Sequence, residues 1–190
     1  MSLAPWRSPL ARNLHLHRSQ PSARYLQLAT VTPDGFPANR TIVFRDFLQD
    51  TDTLKFITDK RSQKVLHIQH QPYGEICWYF EKTREQFRIF GKLLLVTADW
   101  DHGFYQQQRH LVWQEISDSA RSQFTWADPR TPRGTDFPSY DPDPQVPLPN
   151  FCLLLLEPIR CDRLALKGDP QNRWLYEKSA QGWTEIAVYP

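Results

Sequence analysis

Between residues 24 and 32 (RYLQLATVT) apolar and polar positions alternate, the period of a strand with one buried face. Residues 39–47 (NRTIVFRDF) and 53–58 (TLKFIT) continue in the same manner. Pro33, Asp34 and Gly35 separate the first two as a tight-turn signal, because glycine reaches positive φ cheaply, so these two strands form a hairpin. A second hairpin-like pair spans 75–80 (EICWYF) and 86–96 (QFRIFGKLLLV), with Gly91 marking a bulge or a close backbone approach. Residues 151–157, 160–166, 174–177 and 183–188 are strand-like, the last two as a C-terminal hairpin.

Helical spacing is confined to a few stretches. Trp6, Leu10, Leu14 and Leu16 predict an amphipathic docking helix within 6–19, with Pro5 and Pro9 near its start. Residues 62–69 predict a helix with Ser62 as N-cap and Val65, Leu66 and Ile68 to bury. Residues 98–116 predict a longer helix anchored by Trp100, Phe104, Leu111 and Val112, followed by a short one over 117–124. Residues 127–150 carry seven prolines and predict a long extended loop. Strands and helices do not alternate and no repeat is present. The pattern therefore predicts one mainly β domain over 1–190, an antiparallel barrel with peripheral helices.

Composition narrows the function classes. Net charge is +2, too small for a general pull towards nucleic acid or a membrane, so any basic site is a local cluster. The longest apolar run, 151–156, is too short to cross a bilayer, and the first twenty residues lack the apolar stretch of a secretory signal. Three cysteines without CxxC spacing suggest reduced thiols in a cytoplasmic protein. The six histidines include no HExxH, and neither carboxylate nor cysteine motif accompanies His67 and His70, so no metal site is expected. GxGxxG, GxxxxGK[ST] and GxSxG are absent.

Five clusters could carry chemistry. Arg40, Thr41, Ile42, Val43 and Arg45 place guanidinium groups at both ends of an apolar strand, on opposite faces unless a bend intervenes. They suit a flat anionic ligand, although on these residues alone two solvated arginines are the simpler reading. Thr58, Asp59, Lys60, Arg61, Ser62, Gln63 and Lys64 run into a predicted helix N-terminus and make either a phosphate cradle or a charged turn with a serine cap. Gln86 offers an amide to a heteroaromatic edge, or is an exposed strand residue. Tyr105 and Arg109 share a helical face and could grip a phosphate or form a surface contact; Ser122 and Gln123 are similarly ambiguous. Arg173 opens the strand bearing Trp174, which with Trp183 fits core packing better than ligand stacking.

In chain order these pieces resemble the pyridoxamine 5'-phosphate oxidase family, over about 6–190. Leu28-Ala29-Thr30-Val31, Asp34-Gly35, Pro37 and Arg40 match its first hairpin, and residues 40–45 its RxVLLK strand. Phe56-Ile57-Thr58-Asp59 with Ser62-Gln63-Lys64 match its FYTN…SRK segment. Glu85-Gln86-Phe87 with Gly91-Lys92 and Arg173-Trp174-Leu175-Tyr176 match its later strands. The likeness is nearer to the oxidase-like FMN-binding subfamily than to the vitamin B6 enzyme. It implies a split β-barrel, flavin mononucleotide (FMN) as cofactor, and a homodimer with FMN at the subunit interface and a small-molecule substrate. Arg40, Ser62 and Lys64 would hold the phosphate, with Gln63 in place of an arginine. Thr58 and the backbone of Ile42 and Val43 would line the isoalloxazine, and Thr41, Arg45 and Ile57 belong to the same FMN-binding set. Gln86, Ser122 and Gln123 would complete the site, partly from the second subunit, and Arg173 would approach the ring.

The departures bear on substrate. Arg45 replaces the motif's substrate lysine, and Trp113 stands where a serine is expected after Tyr105 and Arg109, the implied substrate-phosphate residues. Asp169-Pro170-Gln171-Asn172 replaces the stretch that carries a substrate-gripping arginine and histidine before Arg173. The expectation is an FMN-dependent oxidoreductase of unidentified substrate. A true pyridoxamine-phosphate oxidase, a non-catalytic flavin binder, and a barrel with another cofactor remain open at this point.

Overall fold

The computed structural model describes residues 3–134 and 140–190. Helices α1 (Arg7–Leu16), α2 (Gln63–His70), α3 (Gly103–Glu115) and α4 (Asp118–Ser122) decorate one antiparallel sheet. Its strands are β1 (Tyr25–Val31), β2 (Pro37–Val43), β3 (Asp46–Phe47), β4 (Leu54–Asp59), β5 (Tyr73–Phe80), β6 (Glu85–Val96), β7 (Phe151–Ala165), β8 (Asn172–Ser179) and β9 (Gly182–Val188). The order is β2-β1-β5-β6-β7-β4-β3, with the β8–β9 hairpin added along the second half of β7. This is the split β-barrel expected.

Two expected strands, 151–157 and 160–166, are one continuous β7. Its first half pairs with β4, its second half with β8, and β6 runs along the whole of it. The register slips between Phe90 and Gly91. A Cβ on Gly91 would stand 2.2 Å from the Glu157 carbonyl oxygen, so the bulge and the close approach expected there both occur.

The expected strand 39–47 divides instead. The Phe44 amide still donates to the Arg24 carbonyl, just ahead of β1, and the chain then changes partner: the Arg45 amide donates to the Lys55 carbonyl on β4. The expected helix 98–116 begins only at Gly103. Gln106 Nε2 donates to the carbonyls of Thr97, Ala98 and Trp100, which holds residues 97–100 in a turn, so Trp100 is not helical. Helix α4 gives way to a 3₁₀ turn at Gln123. The described residues of 127–150 form neither helix nor strand; the rest of that loop, 135–139, lies outside the described residues.

The barrel core gathers Leu26, Leu28, Phe44, Phe56, Trp78, Phe87, Leu154 and Leu156. A second cluster joins α3 to the other face of β7 through Val112, Trp113, Phe151, Leu153 and Leu155. The apolar run 151–156 is thus buried on both faces, which a half-buried strand's alternation would not show. At the far end Trp6 is fully buried edge-on to Trp183, and Asp52 accepts from the Ala4 amide and from Trp183 Nε1. Trp174 and Trp183 therefore serve packing.

Candidate functional site

The break between β2 and β3 bends the chain, so Arg40 and Arg45 face one cleft rather than opposite sides of a strand. The cleft encloses about 520 Å³, within the roughly 300–1,000 Å³ that holds a drug-sized ligand. Arg40, Thr41, Ile42, Val43 and Arg45 form one wall, and Ile57, Thr58, Asp59, Arg61 and Lys64 a second. Ala120, Gln123, Phe124, Trp126, Ala127 and Pro129 close the third.

At the end of β4 the chain turns into α2, and Ser62 takes the extended N-cap conformation without capping through its side chain. Its hydroxyl instead accepts from Lys64 Nζ at 3.0 Å and lies 3.2 Å from Thr58 Oγ1, which also accepts from Lys64 Nζ at 3.0 Å. A half-buried ammonium therefore rests on two hydroxyls beside the first, unpaired N–H groups of a helix. Burial, then the nearby Arg40 charge, pulls the Lys64 pKa below its ordinary value. Gln63 is exposed beside this cradle.

Arg40 Nη1 donates to Thr30 Oγ1 at 2.7 Å and to the Leu28 carbonyl at 3.0 Å. Burial lowers its pKa, as it does for Arg45, where the Arg24 charge adds to the effect. Arg45 Nε is buried without a hydrogen-bond partner. Among the described residues none of Arg40, Arg45 and Lys64 forms an ion pair.

The nearest carboxylate, Asp59, is used elsewhere. It accepts from the Arg61 amide, from Arg61 Nε and Nη2, and from Asn150 Nδ2 at 2.7–2.9 Å. Burial alone would raise its pKa, but these bonds hold it below the usual value. Arg61 also donates to the Trp126 carbonyl and to Asp128, which fixes the third wall to the turn. Asp59 and Arg61 belong to the expected 58–64 cluster but carry no binding role in that expectation, and Asn150 is not among the expected residues. An Asp-x-Arg turn is a local signal for the first two, whereas Asn150 lies ninety-one positions from Asp59 and has none.

The remaining expected residues lie outside the cleft. Gln86 sits on the outer face of β6 and accepts weakly from Cys77 Sγ. Arg173 donates to Asp162, which Arg88 also holds. Ser122 Oγ is turned back onto the Asp118 carbonyl, behind the cleft-lining Gln123. Arg109 is buried and donates to the carbonyls of Phe151 and Leu148, stapling α3 to the start of β7, while Tyr105 packs edge-on against Trp100. A second concavity of about 470 Å³, rimmed by Arg12, Lys82 and Lys167, contains none of the expected residues.

The residues present fit a flavin nucleotide. Uncompensated cations and a helix N-terminus suit a phosphate, the orphaned Arg45 Nε calls for an acceptor, and strand 41–43 offers a flat wall.

Comparison with known proteins agrees. Residues 3–97 match the family model described as pyridoxamine 5'-phosphate oxidase, FMN-binding domain. The chain is 36% identical to pyridoxine/pyridoxamine 5'-phosphate oxidase 2 of Arabidopsis thaliana, over 99% of this chain and 98% of that one. A crystal structure of a pyridoxamine 5'-phosphate oxidase-related, FMN-binding protein from Nostoc punctiforme superposes with a TM-score of 0.96 at 56% identity, covering all of both chains. PhzG of Burkholderia lata, at 19% identity, shares the fold with a TM-score of 0.75 over 96% of this chain and 91% of its own. The chain therefore belongs to the pyridoxamine 5'-phosphate oxidase family of FMN-binding proteins, and its cofactor is FMN.

Proposed function

We propose that this protein is an FMN-dependent oxidoreductase that works as a homodimer on a small-molecule substrate. The observation that carries the proposal is the set of three cations, Arg40, Arg45 and Lys64, facing one cleft without a carboxylate partner. Arg40, Lys64 and Ser62 hold the FMN phosphate. Thr58, Ile57 and the backbone of 41–43 flank the ring, and Gln123 closes the third wall. Bound FMN supplies two-electron redox chemistry; the protein supplies orientation and electrostatics.

The register supports the dimer. Thr41, Gln27, Cys77, Arg88, Asp162 and Leu175 form one row across six strands, and Val43, Gln86 and Arg173 share that outer face. At about 4.8 Å per strand, Gln86 lies roughly 14 Å and Arg173 roughly 24 Å along the sheet from β2. Neither reaches its own cleft, but two-fold pairing of this face delivers both to a partner's. Sedimentation of flavin-loaded protein should give a dimer; a monomer that keeps its flavin overturns this part.

The substrate divides two readings. The full-length relative named a pyridoxine/pyridoxamine 5'-phosphate oxidase favours turnover of those phosphates. Against it, Arg109 is buried and its Nε and Nη2 are committed to backbone carbonyls, and Trp113 is buried where a serine would serve. We favour another substrate. Flavin-loaded protein incubated with pyridoxamine 5'-phosphate in air should then yield neither hydrogen peroxide nor pyridoxal 5'-phosphate, whereas stoichiometric production of both restores the vitamin B6 reading. A flavin whose absorbance no donor or NAD(P)H bleaches would make the protein a non-catalytic binder. The three cysteines are free, and among the described residues no helix is long and apolar enough to cross a membrane; we place the protein, as a single domain, in the cytoplasm.

A further inference from the structure

Behind the cradle lies a histidine that the FMN reading does not use. His67 follows Lys64 by one turn of α2 and is only 7% exposed. Its Nδ1 lies 3.0 Å from Thr30 Oγ1 and 3.4 Å from Arg40 Nη2. Arginine can only donate, so a proton on Nδ1 would face the Nη2–H; Nδ1 is assigned as acceptor, and Thr30 Oγ1, which accepts from Arg40 Nη1, turns its own proton to it. Nε2 then carries the proton, and the ring is neutral. Burial, then the Arg40 and Lys64 charges, keeps the His67 pKa below its ordinary value, consistent with that state.

This arrangement determines which donors Arg40 has left. Nη1 is engaged by Thr30 and Leu28, and one Nη2 proton points at His67. The Nε–H and the second Nη2–H, the parallel pair on the other edge of the guanidinium, have no acceptor among the described residues. A guanidinium meets a phosphate with such a parallel pair. An apolar side chain at position 67 would leave the Thr30 hydroxyl proton and one Nη2 proton of Arg40 without that acceptor, and the guanidinium would turn to find one.

We propose that His67 is a positioning residue for cofactor recognition: as a neutral imidazole accepting at Nδ1, it holds Thr30 and Arg40 so that Arg40 presents its Nε–Nη2 edge to the FMN phosphate. The proposal rests on the reading that Arg40 meets that phosphate, and the experiment separates the two. The apoprotein and its His67→Leu, His67→Asn and Arg40→Ala variants are titrated with FMN and with riboflavin, which lacks the phosphate. Folding of each is checked by circular dichroism. His67→Leu should weaken FMN about tenfold and leave riboflavin unchanged. His67→Asn, whose amide oxygen can stand near the Nδ1 position, should recover FMN binding to within about threefold of the parent. ¹⁵N NMR of the unaltered apoprotein should show His67 as the neutral Nε2–H tautomer. An unchanged FMN-to-riboflavin ratio in His67→Leu, an asparagine variant no better than the leucine one, or a protonated Nδ1 overturns the proposal. If Arg40→Ala also leaves the ratio unchanged, the reading of Arg40 as the phosphate ligand fails with it; if only Arg40→Ala lowers the ratio, that reading stands and this inference alone falls.

Discussion

Replacing Lys64 with methionine should separate cofactor affinity from fold stability. Among the described residues Lys64 Nζ donates only to Thr58 and Ser62, each at 3.0 Å, with the Arg40 charge nearby. Two hydrogen bonds to neutral oxygens in a half-buried place return little more than the desolvation of an ammonium. Methionine keeps the stem's packing, and the freed hydroxyls, 3.2 Å apart, can bond to each other. The net change in folding free energy should stay within about 1 kcal/mol, a shift of roughly 2–4 °C in Tm for a chain of this size. With FMN present the balance differs, because a hydrogen bond to a charged partner contributes about 1.5–3 kcal/mol. Lys64→Met should therefore weaken FMN by about 10- to 100-fold and leave riboflavin within about twofold. Fluorescence quenching on titration of the apoprotein with each flavin gives both constants, and differential scanning fluorimetry gives Tm. Equal losses for the two flavins, or a fall in apoprotein Tm well beyond about 5 °C, would show that Lys64 is structural and that the phosphate lies elsewhere.

Other consequences are as direct. Because the unliganded Lys64 pKa lies below 10.5 and a bound phosphate raises it, FMN affinity should be constant from about pH 7.5 and decline as pH rises through the unliganded value, before an ordinary lysine would titrate; Lys64→Met should abolish that decline. For Asp59 and Asp162 burial pushes upward but the bonds from Arg61 and Asn150, and from Arg173 and Arg88, win, so both carboxyls sit below 3.8. Their stabilisation is complete above the unfolded value of about 3.9 and is lost as pH falls through the folded values, so Tm should drop below about pH 4, less steeply in Asp162→Asn. Arg61→Ala releases the wall formed by 124–128 and should lower Tm by several degrees, weaken FMN, and open that segment to limited proteolysis. Gly91→Ala puts a Cβ against the Glu157 backbone and should cost about 3 kcal/mol in a urea melt, because neither strand can shift without breaking the β6–β7 ladder.

What the sequence revealed about this molecule was whatever lay within a few residues of its cause. The Gly91 bulge was legible because a glycine inside a strand run weakens the strand unless the backbone needs the space, and the Ser62/Lys64 turn because a polar cluster precedes a short apolar helix. The bend that turns Arg40 and Arg45 to one side was not, since it arises from exchanging the β1 side for β4 as partner after Phe44. The i, i+4 spacing of Tyr105 and Arg109 was seen correctly, but it cannot say whether the guanidinium faces solvent or, as here, the carbonyls at the start of a strand some forty residues later. The Asp59–Arg61 turn is local, but the hold of Arg61 and Asn150 on a third segment, 124–128, is not legible for the same reason, since only the fold brings that segment near.

The net charge of +2 conceals how unevenly the protein distributes compensation. Asp59 takes three donors from Arg61 and one from Asn150, and Asp162 is gripped by both Arg88 and Arg173. The carboxylates nearest the functional surfaces are thus neutralised by cations that do not line the phosphate cradle, or that lie on the outer face. Among the described residues Arg40, Arg45 and Lys64 receive no such partner; burial depresses all three, and a neighbouring positive charge adds to the effect at Arg45 and Lys64. An apoprotein so arranged holds like charges close together at a cost to its own stability. A phosphate dianion removes that cost, so affinity for FMN and strain in the apoprotein arise from the same three side chains. Binding must then stabilise the fold by mass action, by about 2.7 kcal/mol at a hundredfold excess over Kd, and riboflavin at the same multiple of its own Kd should stabilise it equally but, lacking the phosphate, without the alkaline decline in affinity that Lys64 gives FMN.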